Sequence, residues 1–156
     1  MERKIILRRA ASDDIGVILD LQQQAPEAAA WSQADYAGLL PAAGTLCLLA
    51  EAAGKVVGFL LARQMTDEME ILNLAVAPDS RRQGIGRRLV GEALARGQAQ
   101  GVRQWWLEVR ASNQSARAFY RALGFIEARR RPQYYRNPPE DAVICVHGVL
   151  AADALP

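Results

Sequence analysis

The first third of the chain combines short apolar runs with two helical patterns. Residues 5–7 are apolar and predict a first strand. Ser12 and the two aspartates after it predict the N-cap and acidic first turn of a helix, which Pro26 ends. A second, shorter helix is predicted to begin after Ser32, again with the serine as N-cap residue.

The spacing changes from helical to strand-like after a loop at residues 41–44. Residues 46–51 and 56–62 are β-like runs separated by the turn at 53–55, which predicts an antiparallel hairpin. A third run, residues 70–76, follows a polar turn. Three consecutive strands joined by short turns predict a meander.

The second half of the chain alternates helix and strand patterns. Residues 81–101 carry apolar positions at helical spacing. A strand is expected at 105–109, followed by a helix that Ser112 or Asn113 caps and that continues to residue 123.

The order of these elements predicts the fold class. Residues 143–149 form a final predicted strand, and the stretch 132–139 is expected to be an irregular loop that borders the functional site. The pattern indicates an α+β protein with a mixed, mostly antiparallel central sheet and helices on both faces. We expect residues 1–156 to form this single domain.

Composition limits the classes of protein that remain. The chain has 156 residues, of which 51% are hydrophobic and 23% charged, so it can bury a core. No run approaches the ~18 apolar residues of a membrane span, and the start does not resemble a signal peptide. We therefore expect a cytoplasmic protein. A net charge of +2 is too small to indicate nucleic-acid binding.

The cysteines and the histidine do not form a metal-binding pattern. Cys47 and Cys145 each lie alone in an apolar run, with only His147 as a further ligand, so no metal site is expected. Both thiols are predicted to be core residues, and His147 to be structural or exposed. The basic run at 129–131 is expected to be a solvated face.

A turn rich in arginine and glycine, residues 81–86, lies between the third predicted strand and the long helix. Its backbone amides would line a helix N-terminus, whose partial positive charge favours phosphate groups. Arginines at that end are unfavourable unless an anion binds there. The alternative is an ordinary turn with solvated arginines. Neither the P-loop spacing nor the dinucleotide-binding pattern is present.

Residues 72–78, followed by 81–87, resemble the acetyl-coenzyme A motif [QR]-x-x-G-x-[GA] of the GNAT acetyltransferases, with strand, turn and helix in the family's order. Residues 106–113 and 118–125 resemble the second half of that fold. With Trp31 and the serine after it, they are most similar to the ribosomal-protein-alanine N-acetyltransferases. The resemblance implies transfer of an acetyl group from acetyl-coenzyme A to the N-terminus of a ribosomal protein.

The resemblance also assigns residues to both substrates. Contacts with the coenzyme are expected from Leu74, Ala75, Val76, Arg82, Gln83, Gly84, Ile85, Gly86, Arg87 and Asn113. Contacts with the acceptor peptide are expected from Trp31, Glu70, Tyr134 and Tyr135. An acidic rim favouring basic peptides would add Asp67, Glu68, Glu140 and Asp141, although turn solubility explains these residues equally well.

Acetyl transfer to an amine requires a proton acceptor for the nitrogen and a proton for the departing thiolate. The resemblance makes Glu108 the general base, while spacing alone also allows an exposed position or a pair with Arg110. Tyr120 matches the family's proton donor, although its apolar neighbours would equally suit a core aromatic residue. A backbone N–H of the strand at 74–76 would stabilise the oxyanion.

Two other functions remain compatible with the sequence. A family member that acetylates a polyamine, an amino acid or an aminoglycoside would need an enclosed pocket rather than an open groove. A coenzyme A-binding module without turnover would not need both Glu108 and Tyr120. No metal is required, and neither a membrane nor a direct nucleic-acid partner is expected.

Overall fold

The computed structural model describes residues 3–148, which form one seven-stranded sheet with helices on both sides. The strands are β1 Ile5–Arg9, β2 Thr45–Ala52, β3 Lys55–Met65, β4 Glu68–Val76, β5 Gln104–Arg110, β6 Ile126–Arg136 and β7 Pro139–Gly148. The helices are α1 Ile15–Gln23, α2 Gln33–Leu39, α3 Ile85–Ala99 and α4 Gln114–Ala122.

The order of strands across the sheet is β1-β2-β3-β4-β5-β7-β6. Within the described residues β4 and β5 run parallel, and every other neighbouring pair is antiparallel. The α+β class and the mixed, mostly antiparallel sheet are therefore confirmed. No helix within this part of the chain is long and apolar enough to cross a bilayer.

Alternation of side chains along each strand separates two cores. In β2, Leu46 and Leu48 pack in the core that also contains the buried side chains of α3 and α4. Cys47 and Leu49 alternate with these two leucines and pack in the core that contains the buried side chains of α1 and α2. We call the α3/α4 side the first face and the α1/α2 side the second face. The predicted helices on both faces are confirmed.

The predicted N-cap residue is confirmed for α2 but not for α1. Ser32 caps α2, because its hydroxyl accepts the Asp35 N–H at 3.1 Å. Ser12 makes no such bond and lies in a short 3-10 turn before α1. That turn is closed by Asp14, whose carboxylate accepts the Ala11 N–H at 2.7 Å. The prediction of Ser12 as the N-cap is wrong because the aspartate competes successfully for the free amide.

Residues 126–136 form strand β6, so the irregular loop predicted at 132–139 is wrong. β6 is the outermost strand, and most of its side chains are exposed or half-buried, which leaves no apolar alternation to mark it in the sequence. β7 begins at Pro139, earlier than predicted. Val149, the predicted end of the last strand, lies outside the described residues.

Candidate active site

The two parallel strands at the centre of the sheet separate along their length. In the described part of the chain β4 and β5 pair at three positions, the last being Glu70 with Trp106. β4 nevertheless continues to Val76 and β5 to Arg110. The carboxyl halves of both strands therefore border a gap whose edges carry backbone groups without a strand partner. Carboxyl ends of parallel strands are a common place for ligands in open sheets.

A β-bulge in β4 lies where the gap opens. Leu61 of β3 pairs with Asn73, but the next residue, Ala62, pairs with Ile71. Leu72 is therefore an extra residue on β4 and has no partner on β3. A bulge bends its strand, and this one lies just beyond Glu70, the last residue of β4 that pairs with β5.

The strand residues expected to hold the coenzyme lie along this edge. The side chain of Ala75 is buried on the second face, whereas Leu74 and Val76 pack against the first. Their backbone groups lie in the plane of the sheet, towards β3 or towards the gap. The N–H of Leu74 already donates to the side-chain oxygen of Asn73 at 3.1 Å.

The turn before α3 presents a row of free backbone amides. Arg82 and Gly84 have positive φ angles of 63° and 77°, and α3 begins at Ile85. The first helical bond is that from the Arg88 N–H to the Gly84 carbonyl, at 3.0 Å. Within the described residues, the N–H groups of 82–87 therefore have no backbone partner. This is the geometry of a phosphate site.

The arginines around this turn have different roles. The guanidinium groups of Arg82, Arg87 and Arg88 make no hydrogen bond or ion pair with the rest of the described chain. Arg81 instead folds inwards and donates to the Val76 carbonyl at 3.1 Å. Three cations therefore remain available to an anion, while Arg81 holds the turn against the end of β4.

Gly86 allows α3 and α4 to approach each other. A Cβ at this position would lie 3.2 Å from Cζ of Phe119 on α4. That separation is shorter than an ordinary van der Waals contact, so a side chain here would require the Phe119 ring to shift by a few tenths of an ångström. Gly86 therefore allows close packing against Phe119, and Gly84 allows a backbone conformation with a positive φ.

Glu108 lies on β5 with its side chain on the second face, because its neighbours Leu107 and Val109 point into the core of the first. Its side chain is only 11% exposed, and Arg131 of β6 approaches its carboxylate at 3.1 Å. The alternative pair with Arg110 is wrong. Arg110 stacks on the Tyr135 ring at 4.2 Å instead. Arg131 therefore fixes the position of the Glu108 carboxylate on the second face.

Tyr134 and Tyr135 lie on β6 rather than in a loop, and both interact with Glu108. A hydrogen bond to Glu108, together with its charge, raises the pKa of Tyr134. Burial first, and the charge of Glu108 second, raise the pKa of Tyr135 to about 12. The two rings pack edge to face with centroids 5.1 Å apart. At neutral pH both hydroxyls keep their protons and remain hydrogen-bond donors.

Glu70, expected to contact the acceptor, faces Glu108 across the start of the gap. Desolvation raises the pKa of Glu70, the charge of Arg63 opposes the rise, and the charge of Glu108 adds to it. Arg63 on β3 lies 3.5 Å from the Glu70 carboxylate. The second face therefore carries the carboxylates of Glu70 and Glu108 beside Arg63 and Arg131. Such a site suits an amine that binds as a cation and is released as a neutral amide product.

Tyr120 lies on the opposite side of the sheet from Glu108. It is 6% exposed, and its ring centroid lies 5.0 Å from that of Phe119 and 5.3 Å from that of Phe125. Burial, followed by the charge of Cys145, raises the pKa of Tyr120 above the ordinary range of a phenol. Its packing is that of a core aromatic residue, and it holds its proton at neutral pH.

Two further predicted site residues have clear structural roles. Asn113, rather than Ser112, caps α4, since its side-chain oxygen accepts the Ala116 N–H at 3.1 Å. Its contact with the coenzyme stays a prediction. Trp31 is half-buried against the second core, and its carbonyl accepts a hydrogen bond from Gln22 at 2.8 Å.

The predicted acidic rim does not form one surface. Glu140 accepts the Ser112 N–H at 2.6 Å, and hydrogen bonds with Ser112, first its side chain and then its backbone, lower the pKa of Glu140. Asp141 accepts the Gln133 N–H at 3.0 Å, so Asp141 joins β7 to β6, whereas Glu140 joins β7 to the turn before α4. Glu68 instead borders a shallow pocket on the second face, with a volume of 140 Å³, beside Gln104, Trp106 and Arg131.

The cysteines are core residues, as expected. Burial raises the pKa of Cys47 to about 12 and that of Cys145 to about 11, which disfavours a nucleophilic thiolate. His147 is half-buried, with its ring centroid 5.0 Å from that of Phe125. Within residues 3–148 no group of three or more histidine, cysteine, aspartate or glutamate side chains is placed to hold a metal ion.

Sequence reasoning missed three residues at this site. The sequence pattern predicts a solvated run at Arg131 and gives no signal at Arg63, because their carboxylate partners lie on other strands. Asn73 belongs to the predicted coenzyme motif, yet it is 5% exposed and makes several hydrogen bonds. An amide inside an otherwise apolar strand was the available signal.

Comparison with known proteins places this geometry among acetyltransferases. The model of the acetyltransferase (GNAT) family matches residues 15–125. The [ribosomal protein bS18]-alanine N-acetyltransferase of Escherichia coli is 44% identical over 93 residues, 58% of this chain and 63% of that protein. The chain thus matches less than two thirds of that relative. The protein of the same name from Salmonella typhimurium is 35% identical over 136 residues, 86% of this chain and 90% of the relative.

A solved structure supports the same relationship over nearly the full length. The crystal structure of the ribosomal-protein-S18-alanine N-acetyltransferase from Escherichia coli superposes with a TM-score of 0.84 and 32% sequence identity. The match covers 98% of this chain and 99% of that one. The fold expected from the resemblance is therefore confirmed.

Proposed function

Because this chain belongs to the acetyltransferase (GNAT) family, we propose that it transfers an acetyl group from acetyl-coenzyme A to the N-terminal α-amino group of a ribosomal protein that begins with alanine. The proposal divides the site into a donor side at the α3 turn and an acceptor side on the second face. The gap between β4 and β5 joins the two.

On the donor side, the pyrophosphate of the coenzyme binds the free amides of residues 82–87. The unpaired guanidinium groups of Arg82, Arg87 and Arg88 add positive charge where the ligand is anionic. The pantetheine arm then follows the backbone of Leu74 to Val76 into the gap and carries the thioester to the sheet.

On the acceptor side, the incoming α-ammonium group meets Glu70 and Glu108, with Tyr134 and Tyr135 as hydrogen-bond donors beside them. An α-amino group has a pKa of ~7.7–8.0, so a single carboxylate suffices to remove its proton near neutral pH. Glu108 takes that proton, directly or through water. Trp31 borders the same face and is proposed to contact the peptide.

The reaction is a direct transfer. The neutral nitrogen attacks the thioester carbon, and a backbone N–H of β4 stabilises the oxyanion that forms. The carbon–sulfur bond then breaks, and the electron pair leaves with sulfur. Tyr120 supplies the proton that this thiolate takes up, and the proton that the nitrogen loses after attack restores the Tyr120 hydroxyl through solvent, so the products are an acetylated amine and free coenzyme A.

The observation that supports the proposal is the gap between β4 and β5, with Glu108 of β5 on the second face and Tyr120 in the core of the opposite face. A base on the acceptor face and a proton donor on the thiol face are what a direct transfer needs. The alanine acceptor is supported by the names of the relatives at 44% and 35% identity.

A substrate panel tests the proposal. The protein is incubated with acetyl-coenzyme A and either a peptide beginning with Ala and bearing later Arg residues, its N-terminally blocked twin, spermidine or an aminoglycoside. Thiol release and the mass of the acceptor are measured. We expect acetylation of the free N-terminus and none of the blocked twin. Preference for spermidine or the aminoglycoside would support a small-amine acetyltransferase, and coenzyme binding without any turnover would support a binding module.

A further inference from the structure

Asn73 lies at the centre of a buried hydrogen-bond network on β4, one residue after the bulge. Its side-chain oxygen accepts the N–H groups of Ala29 and Leu74, both at 3.1 Å. Its side-chain nitrogen donates to the Ala29 carbonyl and to Oε1 of Gln22, both at 3.1 Å, and to the Tyr36 hydroxyl at 3.2 Å. One carboxamide thus joins β4 to α1, to α2 and to the segment between them.

The orientation of this amide follows from its partners. The Ala29 N–H can only donate and the Ala29 carbonyl can only accept, so the oxygen and the nitrogen of Asn73 cannot be exchanged. Tyr36 is fully buried and donates its own proton to Gln22 at 2.6 Å. Breaking one contact in such a network leaves buried polar groups unpaired, which makes the arrangement rigid.

The network holds the segment of residues 25–32, which we call the α1–α2 loop, against the strand that borders the gap. Ala29 is held by both its N–H and its carbonyl, and Gln22 adds a bond to the carbonyl of Trp31 at 2.8 Å. Without these bonds the loop would keep its turn bonds, the Ser32–Asp35 bond at the start of α2 and the apolar contacts of Ala25, Ala28 and Trp31. The loop lies on the second face, where the acceptor approaches.

We propose that Asn73 is a positioning residue for the acceptor: its carboxamide holds the α1–α2 loop at the edge of the gap and thereby sets where the acceptor peptide lies relative to Glu108. The inference rests on the proposed function for the identity of the acceptor. It does not require Asn73 to touch either substrate. Loss of the carboxamide releases the loop while the α3 turn, on the donor side, is unchanged.

The test compares Asn73→Leu, which keeps the branched shape and the number of heavy atoms of the side chain, with Gln22→Met, which removes from α1 the bond to the Trp31 carbonyl and the acceptor for Asn73 and Tyr36 while leaving the sequence of β4 unchanged. Gln64→Ala is the matched control, since it removes a side-chain amide whose one hydrogen bond within residues 3–148 goes to the Thr66 carbonyl, at 2.9 Å, in the β3–β4 turn. Peptide KM, kcat, the Kd for acetyl-coenzyme A and hydrogen exchange at the Ala29 amide are measured for each.

We expect both network variants to raise the peptide KM by roughly tenfold, with kcat at saturating peptide and the coenzyme Kd changed by less than about threefold. Exchange at Ala29 should accelerate in Asn73→Leu, and Gln64→Ala should match wild type. If Asn73→Leu does not fold, the peptide KM of Gln22→Met tests the inference. Unchanged peptide KM in a folded variant overturns the inference alone, whereas a wild-type protein that acetylates no peptide overturns the proposed function.

Discussion

The guanidinium of Arg131 on β6 lies 3.1 Å from the carboxylate of Glu108 on β5, across the intervening strand β7. The contact joins the edge strand to the strand that borders the gap. It holds the Glu108 carboxylate in one place before an amine arrives. The position of Glu108, the proposed base, therefore depends on Arg131, which lies in a strand that the sequence did not predict.

Replacing Glu108 by Gln keeps the size of the side chain but removes the proton acceptor. The rate with an Ala-initiated peptide should fall by ~10² or more near neutral pH and recover in part at alkaline pH, where the amine is already neutral. A pH-rate profile measures this. Acetyl-coenzyme A binding should persist. Glu92→Gln, which removes an exposed pair with Arg96 on α3, is the control and should behave as wild type. Full activity of Glu108→Gln at pH 7 would exclude Glu108 as the base.

Tyr120→Phe removes one hydroxyl and retains the ring packed against Phe119 and Phe125. If Tyr120 supplies the proton to the thiolate, the rate should fall by a similar ~10², and alkaline pH should not restore it. The melting temperature separates this role from a packing role. A variant with wild-type turnover would identify Tyr120 as a core residue only.

Gly84→Val should abolish stabilisation by acetyl-coenzyme A. Gly84 has a φ of 77°, which a β-branched residue rarely adopts, so the turn that aims the backbone amides would change. At a hundredfold excess over Kd the coenzyme should stabilise wild type by ~2.7 kcal/mol, or roughly 5–10 °C in Tm. Gly91→Ala, at an open position of the same helix, should retain the shift. A wild-type-sized shift in Gly84→Val would mean that the coenzyme binds elsewhere.

Gly97→Ala should destabilise the fold because α3 crosses β5 at this point. An added Cβ would lie 2.6 Å from Cζ2 of Trp105, a ring that is 3% exposed and has little room to move. The free energy of unfolding should fall by about 1–3 kcal/mol. Gly91→Ala, with nothing within 4 Å, should gain ~0.5–1 kcal/mol from helix propensity. Urea denaturation of both variants measures the difference, and equal effects would contradict the packing argument.

Glu127 should contribute to stability only above its titration range. Arg117 of α4 donates to it at 2.8 Å and 3.0 Å, and these hydrogen bonds lower the pKa of Glu127 in the folded protein. A carboxyl group whose pKa is lower in the folded than in the unfolded protein, where it is ~4.3, stabilises the fold fully at pH values above ~4.3. This stabilisation is lost as the pH falls through the pKa of the folded protein. Glu127→Gln should therefore lower Tm by roughly 2–4 °C at pH 7, and the difference should vanish as the pH falls below the pKa of Glu127 in the folded protein. A difference independent of pH would point to packing instead.

Local signals in the sequence were sufficient for much of the fold. The β2–β3 hairpin, the Ser32 cap and the glycine-rich turn depend on residues near one another in the chain, and all three are present in the structure. The donor side belongs to this class because a single strand–turn–helix segment supplies most of its residues. Hydrophobic period and turn chemistry act over such short distances.

The acceptor side depended on contacts between distant segments. The strand order places β7 between β5 and β6, which brings Arg131 to Glu108, and the bulge at Leu72 places Asn73 beneath the α1–α2 loop. The order of the elements along the chain determined neither the Arg131–Glu108 contact nor the position of Asn73. The neighbours and the register of a strand depend on how the faces of the sheet pack against the helices. The sequence by itself thus determined the donor motif and the fold class through local pattern. Tertiary structure alone decided the ionic partners of the carboxylates, since an ion pair requires two side chains to meet in space wherever they lie along the chain.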